Sequence, residues 1–166
     1  MSDDAVDANG RPAAVGLTPT ELAILDAVTE RLIPGDETGP GAAEALVVRY
    51  IDRALRTAYA SLLDDYRRGL AAADRHARSC SGAGFADLPD AEQDAVLGAL
   101  EAGEAGPSAR AFFALVRRHT IEGMFGDPSW GGNADGVGWR LLGYHPPRAT
   151  WSAAEQAVET IATRPE

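Results

Sequence analysis

Three residues suited to chemistry stand close together in the last third of the chain. His119 and Glu122 are three positions apart in a helical pattern, and Asp127 follows five residues later. An imidazole with two carboxylates could hold a metal ion, but the dimetal sites of helical bundles need two such pairs and further glutamates. The chain has one pair of this kind. We therefore interpret His119 as a core histidine that hydrogen-bonds the following loop, and we predict no metal site.

Other common catalytic patterns are incomplete or absent in this sequence. The stretch 127–138 resembles a calcium loop in its oxygen-bearing side chains, but it lacks an in-phase glycine at the sixth position and a closing glutamate. There is no serine elbow, phosphate loop or dinucleotide fingerprint. The single cysteine, Cys80, excludes an internal disulfide and lies in a predicted exposed loop with only His76 or Arg78 near enough to activate it. The sequence therefore predicts no self-sufficient catalytic machinery of a common type.

The charge of the chain limits its partners. The 166 residues include 15 basic and 25 acidic ones, which give a net charge of −10, and every basic residue except histidine is arginine. Such a field repels phosphate backbones and anionic lipids, so we predict no nucleic-acid partner. The absence of lysine excludes Schiff-base chemistry.

No stretch is apolar enough to insert directly into a membrane, and the acidic segment 1–7 does not resemble a signal peptide. We therefore expect a cytoplasmic protein, which would be periplasmic or exported only if a partner carried it.

The elements that would position these residues are helices. Residues 1–16 are predicted to be a disordered tail and residues 17–166 a single helical domain. The first helix has the clearest local signal, because Thr18 and Glu21 can form a capping box, Pro19 fits the first helical position and Leu17 can contact Leu22. This helix is expected to end at 33–35.

Apolar residues recur at helical spacing along the rest of the chain. We predict a second helix over 43–55, whose pattern continues through Tyr59 and Tyr66 towards Arg78 either as one long helix or as a third helix after a break near Thr57. A fourth helix would be capped by Asp90, and a fifth would begin at Pro107 or Ser108. No alternating strand pattern occurs, which predicts an all-α, single-domain helical bundle.

The segment 126–151 differs from the rest of the chain. It contains six glycines and three prolines, and all three tryptophans lie in it: Trp130, Trp139 and Trp151. We predict a long, mainly irregular segment with a helical turn near 138–142, followed by a short helix over 152–162. The indole rings could anchor an interface with another protein, or they could pin the segment to the bundle.

Three motifs in this part of the chain carry a family resemblance. In order and spacing, 119–125, 127–133 and 138–144 resemble the gluconate 2-dehydrogenase subunit 3 family, as does the opening Leu-Thr-x-x-Glu followed by a helix that ends in Ile-Pro. The resemblance covers about residues 17–155. It implies a small, non-catalytic helical subunit that accompanies a large flavoprotein of the glucose-methanol-choline oxidoreductase type.

In such a complex the large partner holds FAD and oxidises sugars, sugar acids or polyols, and a cytochrome subunit is often present. The small subunit is implied to bind no cofactor alone and to assist folding, FAD loading or assembly. Within this interpretation His119, Glu122 and Asp127 position the loop, with Glu122 or Asp127 holding it through backbone amides, and glycines let a partner backbone approach. The residues predicted to bind the partner are Trp130, Gly131, Gly132, Asn133, Trp139 and Tyr144.

Two alternatives remain at this point. In the first, the loop closes over the active site of the partner, so that His119, Trp130 or Asn133 contacts the sugar and shapes specificity. In the second, the chain is an independent helical protein that binds a metal or another ligand.

Overall fold

The computed structural model describes residues 16–145. Predictions for the tail 1–15, for Trp151 and for the helix 152–162 lie outside this range. Within it the chain forms no β-strand, and the all-α prediction is confirmed. The helices are α1 Pro19–Leu32, α2 Val47–Leu55, α3 Leu63–Ser81, α4 Asp90–Ala102, α5 Ala109–Phe125 and the short α6 Val137–Leu141.

Helix α1 begins as its sequence predicts. The Glu21 amide donates to the Thr18 hydroxyl (3.3 Å), and the Thr18 amide donates to the Glu21 carboxylate (2.8 Å), which completes the capping box with Pro19 at the first helical position. The helix buries Ile24, Leu25, Val28 and Thr29 and ends at Leu32. Gly16, at the end of the predicted tail, is buried, and its carbonyl oxygen accepts a hydrogen bond from Arg67.

Helix α2 is shorter than predicted because side chains capture the backbone amides before it. The Gly41 amide donates to Glu44 (3.0 Å) and the Ala43 amide to Glu30 (3.1 Å), which holds residues 42–46 in turns. Leu46 has a left-handed backbone (φ 55°), and α2 starts at Val47 rather than at 43.

Helices α2 and α3 are separate, so of the two predicted alternatives the break near Thr57 is correct. Helix α3 continues to Ser81 before Gly82 ends it with a left-handed backbone (φ 77°). Cys80 is therefore exposed on the last turn of α3. The prediction of a loop at this position is wrong.

Asp90 does not cap α4, contrary to the prediction. Its carboxylate forms an ion pair with Arg31 (2.7 Å), and the residue is the first of the helix, after Pro89. Helix α5 packs against α1, α2, α3 and α4 and buries Phe112, Val116 and Met124. The predicted fifth helix thus lies at the centre of the bundle, and its C-terminal end carries the predicted site.

Candidate functional site

The glycine-rich segment folds back over the C-terminal end of α5. The last carbonyl groups of a helix have no partner within the helix. Here the Asn133 amide donates to the Gly123 carbonyl (2.7 Å), and the Trp139 indole N–H donates to the Phe125 carbonyl (2.8 Å). The segment therefore completes the hydrogen bonding of α5. These hydrogen bonds explain how a segment so rich in glycine keeps a defined position.

Asn133 is the centre of this arrangement. Its side chain is fully buried, its Nδ2 donates to the Gly126 carbonyl (2.8 Å), and its Oδ1 accepts from the Gly138 amide (2.8 Å). The backbone is left-handed (φ 43°), a conformation that asparagine tolerates better than most residues. Because its polar atoms are engaged inside the chain, Asn133 holds the segment in place, and the prediction that it contacts a partner needs correction.

The two neighbouring glycines have different surroundings. Gly132 is buried against α5, where a Cβ atom would overlap the Gly123 carbonyl. Glycine is thus required there by a close approach within this chain, and not by the backbone of a partner as predicted. Gly131, with φ 104°, ends the turn Pro128–Trp130 and lies near the surface.

Asp127 starts that turn. Its Oδ1 accepts a hydrogen bond from the Ser129 amide (2.8 Å), and this bond lowers the pKa of the Asp127 carboxyl below its ordinary value. The structure therefore places Asp127 where it holds the loop through a backbone amide, as the sequence predicted.

Glu122 has other partners than the predicted loop amides. Its Oε2 accepts from the hydroxyls of Tyr50 (3.0 Å) and Tyr59 (3.2 Å), and its Oε1 lies 3.5 Å from Nε of Arg118. Burial and the hydrogen bond to Glu122 raise the pKa of the Tyr50 hydroxyl, so this group stays protonated and donates. Glu122 consequently joins α5 to α2 and to the turn after it.

His119 is fully buried and bonds to Tyr66 rather than to the loop, which corrects a second predicted contact. Its Nδ1 lies 2.8 Å from the Tyr66 hydroxyl, and Nη2 of Arg118 lies 3.0 Å from its Nε2. Because arginine only donates hydrogen bonds, Nε2 must accept, and the ring proton of the neutral form therefore sits on Nδ1. Burial lowers the pKa of His119, and the positive charge of Arg118 adds to this effect against the opposing charge of Glu122.

Aromatic rings surround this histidine. The Tyr59 ring stacks on the imidazole with a centroid distance of 4.5 Å, and the Tyr66 ring lies nearly parallel at 5.8 Å. Burial, followed by the charge of Glu122, raises the pKa of Tyr66, so its hydroxyl also stays protonated. The network thus places two tyrosine hydroxyls and the Arg118 guanidinium around the Glu122 carboxylate, an arrangement suited to positioning helices.

A groove opens beside the network. It encloses about 310 Å³ and is called here the Trp130 groove. The Trp130 side chain is 58% exposed and forms one wall, while Nη1 of Arg53 donates to the Ser129 carbonyl (3.0 Å) and ties the Trp130 turn to α2. The residues lining the groove are Tyr50, Arg53, Ala54, Thr57, Ala58, Tyr59 and Trp130.

Trp139 has a different environment from Trp130. Its ring is half-buried, its indole N–H is bound to α5, and the Tyr144 ring meets it edge-on at 5.4 Å. Trp139 therefore pins the segment to the bundle, whereas Trp130 remains at the surface. Between Trp139 and residue 145, where the described part of the chain ends, three large apolar side chains are exposed: Leu141, Leu142 and Tyr144.

Sequence reasoning missed several members of this site. Tyr59 and Tyr66 were placed only in the apolar helical pattern, and Tyr50, Arg53 and Arg118 were not singled out for the site. One signal was available, since a tyrosine on an apolar helix face needs a hydrogen-bond partner when buried. The sequence did not show which residue this hydrogen-bond partner is, because Glu122 is 72 residues from Tyr50 and 63 from Tyr59.

Two kinds of feature are absent from residues 16–145. No group of three or more histidine, cysteine or acidic side chains is arranged to hold a metal ion. In the same part of the chain no helix combines the length and the apolar character that crossing a bilayer requires.

The fold and the site together define a small all-α protein, with an internally satisfied polar network and exposed aromatic and aliphatic side chains on one capped segment. Residues 19–146 match the family model described as gluconate 2-dehydrogenase subunit 3. The chain belongs to this family of dehydrogenase subunits. No curated protein and no solved structure matches it.

Proposed function

We propose that this chain is a non-catalytic accessory subunit of an FAD-dependent sugar, sugar-acid or polyol oxidoreductase. In this role it assists folding, FAD loading or assembly of a large flavoprotein of the glucose-methanol-choline type, in a complex to which a cytochrome subunit can be added. The observation that carries the proposal is the family match over residues 19–146, because the family is one of dehydrogenase subunits.

The distribution of polar and apolar groups supports this role. His119 and Glu122, the best acid–base candidates, are engaged inside the chain by tyrosines and Arg118. In contrast, Trp130, Leu142 and Tyr144 expose about half or more of their surface. Exposed large apolar side chains on one segment are typical of protein interfaces, and tryptophan and tyrosine are enriched among their energetic centres.

The rigid support of Trp130 has a consequence for binding. The turn that carries it is held by Asp127 on one side and by Arg53 on the other. A side chain already held in place loses less conformational freedom when a partner binds, so more of its contact energy contributes to affinity. FAD in the large subunit would accept the electrons from the sugar, while residues of this chain would contact that subunit.

Burial reduces the number of residues that could contact the sugar in the alternative role. Of the three residues predicted to reach the substrate, His119 and Asn133 are fully buried and Trp130 is exposed. A sugar-contacting role therefore depends on Trp130, whose ring could stack on a sugar face if the groove lay over the active site of the partner.

The direct test is co-expression of the tagged chain with candidate large flavoproteins, followed by pull-down, size analysis and a visible absorption spectrum. We expect a yellow stoichiometric complex that oxidises sugars only when both chains are present. A colourless chain that copurifies with none of the flavoproteins, and whose presence does not change their FAD content or activity, would contradict the proposal.

The Trp130→Ala variant separates the accessory role from the sugar-contacting one. If Trp130 is an assembly anchor, we expect a loss of about 2–4 kcal/mol of binding free energy, which weakens the complex roughly 30- to 1,000-fold without changing the sugar KM of the complex that remains. A sugar-contacting residue would instead leave assembly intact and alter KM or kcat. The matched control is Ile121→Ala, since Ile121 is an exposed apolar residue of α5 that does not line the Trp130 groove.

A further inference from the structure

We propose that the Trp130 groove receives an acidic, apolar segment of the large subunit, with carboxylates on Arg49 and Arg53 and an apolar side chain between Trp130 and Tyr59. The inference rests on the proposed function for the existence of that subunit. It adds the chemistry of the contacting segment and the residues that recognise it.

The first argument is the local charge. The whole chain carries a net charge of −10, yet Arg53 lines the groove and Arg49 lies one helical turn before it on the exposed face of α2. Like charges at this spacing destabilise a helix. In contrast, Arg56, the residue that follows α2, is paired with Asp52 (2.9 Å).

Neither Arg49 nor Arg53 is paired with a carboxylate in the described part of the chain. Within residues 16–145 Arg49 forms no ion pair, and Arg53 donates to a neutral acceptor, the Ser129 carbonyl. Both side chains lie against the turn at Gly131, the residue after Trp130, since a Cβ atom on Gly131 would be 3.6 Å from Cδ of Arg53 and 4.0 Å from Cγ of Arg49. Nη1 of Arg53 would lie 3.7 Å from the same atom, so the Arg53 guanidinium is at this turn and Arg49 is next to it on α2, where carboxylates of a bound segment could pair with both.

The second argument is the apolar character of the groove wall. The hydroxyls of Tyr50 and Tyr59 are both directed to Glu122, so these residues offer their rings to the groove. Ala54 and Ala58 have small side chains, which leave space for an apolar side chain opposite Trp130. The carboxylate of Glu122 is the acidic group nearest these rings, and its charge is offset by Arg118 at 3.5 Å.

The test uses the purified complex between this chain and the large flavoprotein. Reversing a charge at the edge of an interface acts mainly on the association rate and its salt dependence. We expect Arg49→Glu to slow association by about tenfold at low salt and to flatten the dependence of the rate on salt concentration. Arg75→Glu is the matched control, because Arg75 is exposed on α3, where it lines a separate depression together with Glu21 and Arg68. Circular dichroism of both variants should match the wild type, and neither variant should unfold at a lower temperature than the wild type.

A second measurement identifies the occupant. A photo-cross-linking amino acid at position 57, which is exposed and lines the groove, should cross-link in the complex to a flavoprotein peptide that contains Asp or Glu next to an apolar residue. Cross-links to a second copy of this chain, or to its own residues 146–166, would overturn the inference.

The two proposals fail in distinguishable ways. A complex that forms at the same rate with Arg49→Glu, or whose cross-links lie on a basic or uncharged peptide, overturns the acidic-segment inference and leaves the accessory role in place. A wild-type chain that forms no complex with the large flavoproteins overturns both.

Discussion

Replacing Asn133 by alanine tests the idea that one buried side chain holds the capped segment. The substitution removes the acceptor for the Gly138 amide and the donor to the Gly126 carbonyl. It also puts alanine in a left-handed backbone conformation (φ 43°). The helices α1–α5 keep their own hydrogen bonds, so the loss should be concentrated in the segment after Phe125.

The expected magnitude follows from these three contributions. Leaving the buried Gly138 amide without a partner costs about 1–3 kcal/mol, whereas the partly buried Gly126 carbonyl can be reached by water and contributes less. The left-handed backbone adds about 1 kcal/mol for alanine relative to asparagine. We therefore expect a destabilisation of the segment by about 2–4 kcal/mol.

Native-state hydrogen exchange is the appropriate assay because it separates local from global opening. The Asn133 and Gly138 amides should exchange faster by the factor that corresponds to this free energy, roughly 30- to 1,000-fold. Amides in the middle of α4 and α5 should change much less. Tryptophan fluorescence should show that Trp139 becomes more exposed.

Asn133→Gly is the matched control. Glycine adopts the left-handed conformation without strain, so this variant isolates the side-chain hydrogen bonds and should be less destabilised than Asn133→Ala by about 1 kcal/mol. If both variants lose less than about 1 kcal/mol and the exchange of Gly138 is unchanged, Asn133 does not organise the segment and the reasoning is refuted.

Two further predictions concern the same end of the bundle. Gly132→Ala should destabilise the protein by about 1–3 kcal/mol in urea unfolding, because the new methyl group would overlap the Gly123 carbonyl. His119 should make stability depend on pH: its pKa in the folded protein is below the ordinary 6.5, so the unfolded chain binds protons more readily, and stability should fall as the pH decreases from about 7 towards 5.

Each of these predictions has its own control. Gly98 lies in α4 with open space around it, so Gly98→Ala should leave stability unchanged or raise it by about 0.5–1 kcal/mol, and equal losses at both glycines would contradict the overlap at Gly132. His119→Gln should be less stable at pH 7 but should lose less on acidification than the wild type. Parallel curves for the two proteins would show that another group causes the pH dependence.

The sequence predicted the structural class and the start of α1 well. The capping box joins Thr18 to Glu21, three residues away, and its geometry depends on little beyond one helical turn. The family motifs in 119–144 also located the segment that carries the site. Physically, these features were readable because they depend on residue type and short spacing.

Predictions that depended on the choice of a distant partner were less successful. Asp90 was expected to cap α4, but Arg31, 59 residues earlier, takes its carboxylate. His119 and Glu122 were expected to hold the loop, and they bond instead to tyrosines on other parts of the bundle. A polar side chain has several possible partners in a sequence, and packing decides which one is within hydrogen-bonding distance.

The tryptophans also show which features the sequence predicts and which depend on the tertiary structure. Their concentration after Phe125 was evident from the sequence, and so was the choice between anchoring an interface and pinning the segment. The tertiary structure separated the two described rings, because the carbonyl at the end of α5 binds the Trp139 indole while the Trp130 turn projects beside α2. By itself the sequence determined the helices and the place of the special segment, through local periodicity and capping. The packing of α5 at the centre of the bundle decided which side chains are buried and hydrogen-bonded inside the protein and which are left exposed for a partner. Burial and hydrogen-bonding distance are properties of the folded chain, so the sequence alone does not give them.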